Sequence, residues 1–135
     1  MGESRPGASV GLVYDSGALI AADRDDRRVW AIHTRSLQRG VRPVVPAGCV
    51  VEAWHGQRQA NLARLLDGCE IETLTDERAK SSGLLRAGTS NDVSAVDASV
   101  VEVAIRKVAA IATSDRGDIE SLLRNTSTKP QIIDV

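Results

Sequence analysis

Val10-Gly-Leu-Val-Tyr14, closed by Asp15, is the stretch on which the fold turns: a short apolar run, rich in β-formers, with no polar residue alternating along it. A strand with one wet face would alternate, so this run suits a strand buried on both faces of a parallel sheet. A second run of the same kind, Val108-Ala-Ala-Ile-Ala-Thr113, lies far downstream and is followed by Ser114 and Asp115.

Outward from the first run, Asp15-Ser16 precedes Gly17-Ala-Leu-Ile-Ala-Ala22, an acceptor side chain ahead of a helical run in the usual N-cap pattern. From Arg24 to Arg39, the residues Val29, Trp30, Ile32, His33 and Leu37 recur at helical spacing among arginines, which predicts an amphipathic helix stopped by Gly40. Val41 to Val45 is another strand candidate, kept short by Pro43 and Pro46, which lack an N–H for the ladder. After a turn at Ala47-Gly48, a helix of about Cys49 to Gln57 places Val50, Val51 and Trp54 on an apolar stripe, with Glu52 offset from it. Gln59 to Leu66 continues as helix, and Cys69-Glu-Ile-Glu-Thr-Leu74 alternates like a half-exposed strand. Thr75 caps a helix to about Ala87, and Ser94-Ala-Val-Asp97 opens another to about Lys107. Asp115 to Arg124 is a short helix and Ile132-Ile133 a last strand. Strands and helices alternate without a repeat, so the expected fold is α/β: a mainly parallel sheet in a three-layer α/β/α arrangement. Residues 1–9 are Gly, Ser, Pro and charge and read as a disordered N-terminal tail, ahead of a single domain over 10–135.

Lys and Arg total 17 against 18 Asp and Glu, a formal charge of -1, so any nucleic-acid contact must rely on a local basic patch. Only Tyr14, Trp30 and Trp54 are aromatic, which argues against a stacking platform for single strands. Cys49 and Cys69 lack the close spacing of a zinc pair, and His33 and His55 are not placed to complete one, so buried free thiols are expected. No apolar run approaches the roughly 18 to 20 residues that span a bilayer, and no segment reads as a secretion signal. The chain is therefore expected in the cytoplasm, without a membrane partner.

Four acids fall where units begin or end: Asp15 after the first strand, Asp115 after the Val108 strand, Asp97 opening a helix, and Glu52 within one. Ligands of open parallel sheets bind beyond the carboxyl ends of the strands, where strand order reverses. If the first strand is central with the Val108 strand beside it, Asp15 and Asp115 come within reach of one ion, with Asp97 and Glu52 delivered from flanking helices. Bringing like unit charges to about 4 Å costs on the order of 4 kcal/mol per pair at an effective dielectric of about 20, so such a cluster calls for a cation. Ligation by oxygen alone selects Mg²⁺ or Mn²⁺, and without a neighbouring His or Cys nucleophile the attacker is water activated by the ion, which suits phosphodiester hydrolysis.

Val13-Tyr-Asp-Ser-Gly-Ala-Leu-Ile-Ala21, Val50-Val-Glu52, Ala95-Val-Asp-Ala-Ser-Val-Val101 and Ile111-Ala-Thr-Ser-Asp-Arg-Gly-Asp118 together resemble the four acidic motifs of PIN-domain ribonucleases, particularly VapC-type toxins of toxin–antitoxin pairs. The resemblance spans nearly the whole chain in the family's order. It implies an Mg²⁺- or Mn²⁺-dependent endoribonuclease whose catalytic, metal-binding quartet is Asp15, Glu52, Asp97 and Asp115. Ser16 and Thr113 would be polar supports and Asp118 a further metal acid. It also implies RNA products with a 3′-hydroxyl and a 5′-phosphate, a homodimer, and neutralisation by a cognate antitoxin whose C-terminal segment enters the acidic groove. Tyr14 and Glu102 depart from the pattern, since aliphatic or small residues are commoner there.

Each acid also has an ordinary structural role open to it. Asp15, Asp97 and Asp115 can cap helices, Asp118 can complement a helix dipole, and Glu52 can sit on a solvated face, giving as the alternative a catalytically silent PIN-like interaction module. Asp92 and Glu102 read as surface charges, and His33 and His55 are given no role. Trp54 reads as core or dimer interface. The arginines from Arg24 to Arg39 read either as a wet helix face or as phosphate contacts, to which Arg86, Arg106, Lys107 and Arg116 would add. A doubly wound nucleotide binder is disfavoured, because no glycine-rich phosphate loop follows Tyr14.

Overall fold

A computed structural model describes residues 11–89 and 92–135, so the expected N-terminal tail over 1–9 lies outside the described residues. In chain order the elements are β1 (Gly11–Tyr14), α1 (Ser16–Asp23), α2 (Arg27–Gln38), β2 (Val44–Pro46), α3 (Ala47–Ala53), α4 (Ala60–Asp67), β3 (Glu70–Glu72), α5 (Asp76–Ala87), α6 (Ala95–Lys107), β4 (Ala109–Thr113), α7 (Arg116–Leu123) and β5 (Ile132–Asp134). The strands form one five-stranded sheet in the order β3-β2-β1-β4-β5, with every pairing parallel. Right-handed crossovers then put α1 to α4 on one face and α5 to α7 on the other, which matches the contacts of α1 with α2, α3 and α4 and of α6 with α5 and α7. This is the three-layer α/β/α architecture expected from the alternation.

The two decisive runs pair with each other at the sheet's centre, Val13 opposite Ile111 and Tyr14 opposite Ala112. Both are buried on both sides, as their lack of alternation requires. The Tyr14 hydroxyl is hydrogen-bonded to His33 Nδ1 at 2.9 Å, and Trp30 meets the His33 ring edge-on. His33, to which the sequence assigned nothing, is therefore a core partner for a buried phenol. Both thiols are free and buried. Among the described residues no helix is long and apolar enough to cross a membrane.

Several elements differ from expectation for physical reasons. Strand β2 starts only after Pro43, and α3 begins at Ala47, so the expected Ala47-Gly48 turn is helical. The face α3 buries is Cys49 and Ala53, whereas Val51 and Trp54 are exposed. At the start of α3, a Cβ added to Gly48 would make ordinary van der Waals contact with Val96 at 3.4 Å. The helix ends at Ala53, where Gln59 Oε1 accepts from the N–H groups of His55 and Gly56 and holds the break before α4. In β3 it is Glu72, not Ile71, that is buried; Arg78, Arg106 and Lys107 surround its carboxylate. Glu102 is likewise buried rather than a surface charge, paired with Arg106 Nε at 2.9 Å. Val108 is an exposed left-handed cap of α6, with φ of 52°, instead of the first residue of β4.

Candidate functional site

Strand order reverses between β1 and β4, because the chain leaves β1 toward β2 and enters β4 from β3. Their carboxyl ends open on the crevice where α/β sheets hold ligands. Three helices also start at this edge: α1 from Asp15, α6 from Ser94 and α7 from Asp115. The positive ends of their backbone dipoles meet the acids there.

Asp15 is buried and caps α1, with Oδ1 accepting from Ala18 N at 2.8 Å and Oδ2 accepting from the Thr113 hydroxyl. Burial raises its pKa above the usual aspartate value; the hydrogen bonds from Thr113, Ala18 and Ser114 oppose the rise, and the charge of Asp115 adds to it. Thr113 Oγ1 also accepts from Asp115 N at 2.7 Å, so one buried hydroxyl ties the end of β1 to the start of α7. Gly17 makes room for this junction, since a Cβ there would lie 1.7 Å from Ser114 Oγ.

Asp97 stands in the first turn of α6, its N–H donating to Ser94 Oγ at 2.9 Å. Burial pushes its carboxyl up to about 6; the Ser94 hydroxyl opposes this, and the charges of Asp115, Asp15 and Asp118 reinforce it. Asp115 caps α7 by accepting from Asp118 N at 3.5 Å. The Asp118 pKa is raised, first by the hydrogen bond it shares with the Asp115 carboxyl, then by burial and by Asp115's charge.

Asp97, Asp115 and Asp118 each offer an oxygen within 4.8 Å of the other two. Asp118, optional from the sequence, thus belongs to the tightest group, while Asp15 and Glu52 do not. Asp15 lies behind the trio with both oxygens engaged. Glu52 is exposed and accepts from Ser16 Oγ at 2.5 Å. The Cys49 thiol joins the two sides: burial pushes it up to about 12, against the Ser16 hydrogen bond and with the charges of Asp15, Glu52 and Asp97 adding to the rise. Asp15, Glu52 and Asp97 thus share one neighbourhood around Cys49, and Asp115 and Asp118 lie within ligand distance of Asp97.

Among the described residues no arginine or lysine forms an ion pair with any of the five. Of the cations expected beside them, Arg86, Arg106, Lys107 and Arg116 are occupied elsewhere. Arg116 binds Asp134 and Glu120, Arg106 and Lys107 bind Glu72, and Arg86 Nε donates to Val93 O at 2.6 Å. An uncompensated carboxylate trio made only of oxygen donors fits a hard divalent cation such as Mg²⁺ or Mn²⁺. Nothing in the sequence singles out Ser114 or Cys49 for this crevice; for Gly17 the one signal is a glycine directly after Asp15-Ser16, at a helix start where glycine is a poor former.

No family model matches this chain, and no curated protein matches it in sequence.

Proposed function

We propose that the chain is a PIN-like endoribonuclease that hydrolyses RNA phosphodiester bonds with Mg²⁺ or Mn²⁺. In this reading it acts in the cytoplasm as a homodimeric, VapC-type toxin neutralised by a cognate antitoxin. The observation that carries the hydrolytic reading is the convergence of Asp97, Asp115 and Asp118 at the switch point of a parallel sheet without a cationic side chain to neutralise them. The toxin role rests on the resemblance of the four acidic motifs.

Asp97, Asp115 and Asp118 would hold the cation. When bound, it supplies charge neutralisation at the scissile phosphate and lowers the pKa of the attacking water. Asp15 positions Asp115 through Thr113, fixing one ligand by two short-range bonds to a buried hydroxyl. Glu52, held by Ser16 on the other wall, is an acceptor free to orient water. Buried Asp15 and exposed Glu52 thus have different tasks, support and solvent contact.

The caps on α1 and α7 favour one second reading, a catalytically silent α/β interaction module in which the acids serve only helix ends. Asp97 weighs against it, because Ser94 is the cap of α6. Calorimetric titration with Mn²⁺ together with cleavage of a labelled single-stranded RNA separates the two. The expected result is Mn²⁺ binding and cleavage by the wild type, both lost in Asp97→Asn. Absence of Mn²⁺ binding, or cleavage that survives the substitution in a nuclease-free preparation, refutes the reading.

A further inference from the structure

Between α2 and the sheet runs a groove of about 500 Å³. Leu12, Ile32, Ala110 and Ile133 give it an apolar floor, and the α2 wall contributes Arg28, Arg35 and Arg39; among the described residues no acidic one lines it. Those arginines follow the spacing i, i+7, i+11, a single stripe on a helix, and span about 16 Å at 1.5 Å per residue. Among the described residues neither Arg35 nor Arg39 has an acidic partner, whereas Arg106, Lys107 and Arg116 are all paired. Unneutralised guanidiniums beside an apolar floor complement an anion with an apolar side.

A chain of side-chain contacts links the groove's Arg28 to the residue that follows Asp115. Arg28 Nη1 donates to Asp134 O at 3.2 Å, the Asp134 carboxylate holds Arg116 Nε at 2.9 Å, and Arg116 adjoins Asp115. Guanidiniums therefore lead from the acid cluster at the carboxyl edge of the sheet down α2 toward its amino edge. An acidic peptide would meet the same arginines. The row of arginines, linked by that contact chain to a site suited to a phosphodiester, favours a nucleic-acid strand instead.

We propose that this groove is the track for single-stranded RNA flanking the scissile bond, with successive phosphates on Arg28, Arg35 and Arg39 and the sugar and base edges against the apolar floor. The choice of polymer rests on the ribonuclease reading above. Among the described residues no aromatic one lines the groove, so affinity comes from phosphate contacts and falls with salt.

The test is fluorescence anisotropy of a labelled oligouridine with the full chain in EDTA, where binding is read without cleavage. Each phosphate contact to a single strand contributes about 0.7 to the slope of log K against log salt, so Arg35→Gln/Arg39→Gln lowers that slope by about 1.4. Between about 50 and 200 mM KCl the variant's Kd then changes about sevenfold less than the wild type's. Arg35→Lys/Arg39→Lys keeps most of the slope, which separates lost charge from misfolding. Unchanged affinity and slope in the Gln variant overturn the proposal, as does a groove that binds labelled polyglutamate but not oligouridine. Because these readings need no metal, a protein that binds RNA along the track yet never cleaves it sinks the nuclease reading alone.

Discussion

Replacing Asp97 by asparagine is expected to stabilise the cation-free protein at neutral pH while abolishing its response to Mn²⁺. The Asp97 carboxyl is pushed from 3.8 up to about 6 by burial and by its acidic neighbours. At about 1.4 kcal/mol per tenfold in proton affinity, that is a cost of about 3 kcal/mol for keeping the charged form folded. Water on its open side screens the field, which leaves about 1.5 kcal/mol. The sign follows from the raised pKa: the folded state holds the proton more tightly, so the group's contribution is full below about pH 4 and is lost as pH rises through about 6. Asparagine carries no charge, so the variant's advantage should be absent at pH 4, open between pH 4 and 6, and level off above. For a chain of 135 residues, about 1.5 kcal/mol corresponds to a Tm gain of about 5 °C. Mn²⁺ at a hundredfold excess over Kd should in turn stabilise the wild type by about 2.7 kcal/mol and the variant far less. Thermal melts across pH in EDTA and in Mn²⁺ read all three effects. A variant no more stable at pH 7, or one whose gain is equally large at pH 4, would refute the view that Asp97 is held in an uncompensated acidic cluster.

Three further perturbations follow from the same geometry. Gly17→Ala places a Cβ 2.8 Å from Ser114 Cβ, so rotating the hydroxyl away does not relieve the clash; a loss of about 1–3 kcal/mol in chemical denaturation is expected, with recovery in Gly17→Ala/Ser114→Gly and none in Gly17→Ala/Ser114→Ala. His33 has its pKa lowered by burial, so its contribution to stability is present above the usual 6.5 and lost as pH falls through its folded value; NMR titration should find that value below 6.5, and an imidazole titrating at or above it contradicts the buried Tyr14 contact. Glu72→Gln leaves Arg106, Arg78 and Lys107 facing a neutral amide, and because those cations keep about a third of their surface in water the expected cost is about 2 kcal/mol, below that of a fully buried pair; a cost under about 0.5 kcal/mol in urea unfolding would show that the cluster is merely a surface one.

The centre of the fold was legible because apolar runs such as Gly11–Tyr14 and Ala109–Thr113, with no alternation along them, must be covered on both faces. Caps were legible because they are local: Thr75, Ser94 and Asp115 bond donors within three residues of themselves. What escaped depends on partners distant in sequence. In α3 the large apolar residues Val51 and Trp54 point outward and the small Cys49 and Ala53 pack inward, a choice set by the approach of α1 and α6. No hydrophobicity pattern within the helix contains it. Glu72 reads as the polar member of an alternating strand until Arg106, 34 residues away, arrives beside it. For the site, the sequence marked which acids stand at element ends, and the strand order decided which of them meet. Asp118 joined Asp97 and Asp115 because α7 starts against α6, while Asp15 was drawn behind them by Thr113.

Helix capping and cation binding compete for the same acids in principle, but in the proposed reading only Asp115 would serve both. The caps on α1 and α7 fix the carboxylates of Asp15 and Asp115 against backbone N–H groups. For Asp115 this engages Oδ1 alone, and the buried Thr113 hydroxyl locks its backbone to Asp15. On the proposed reading, a cap so arranged would hold a ligand in place before any ion arrives, the preorganisation a catalytic centre requires of its supporting residues. The cost appears as the raised affinity of Asp97 for a proton, set first by burial and increased by the charges of Asp115, Asp15 and Asp118. A module that used its acids only as caps would have no reason to bring Asp97 and Asp118, neither of them a cap, within 4.8 Å of Asp115.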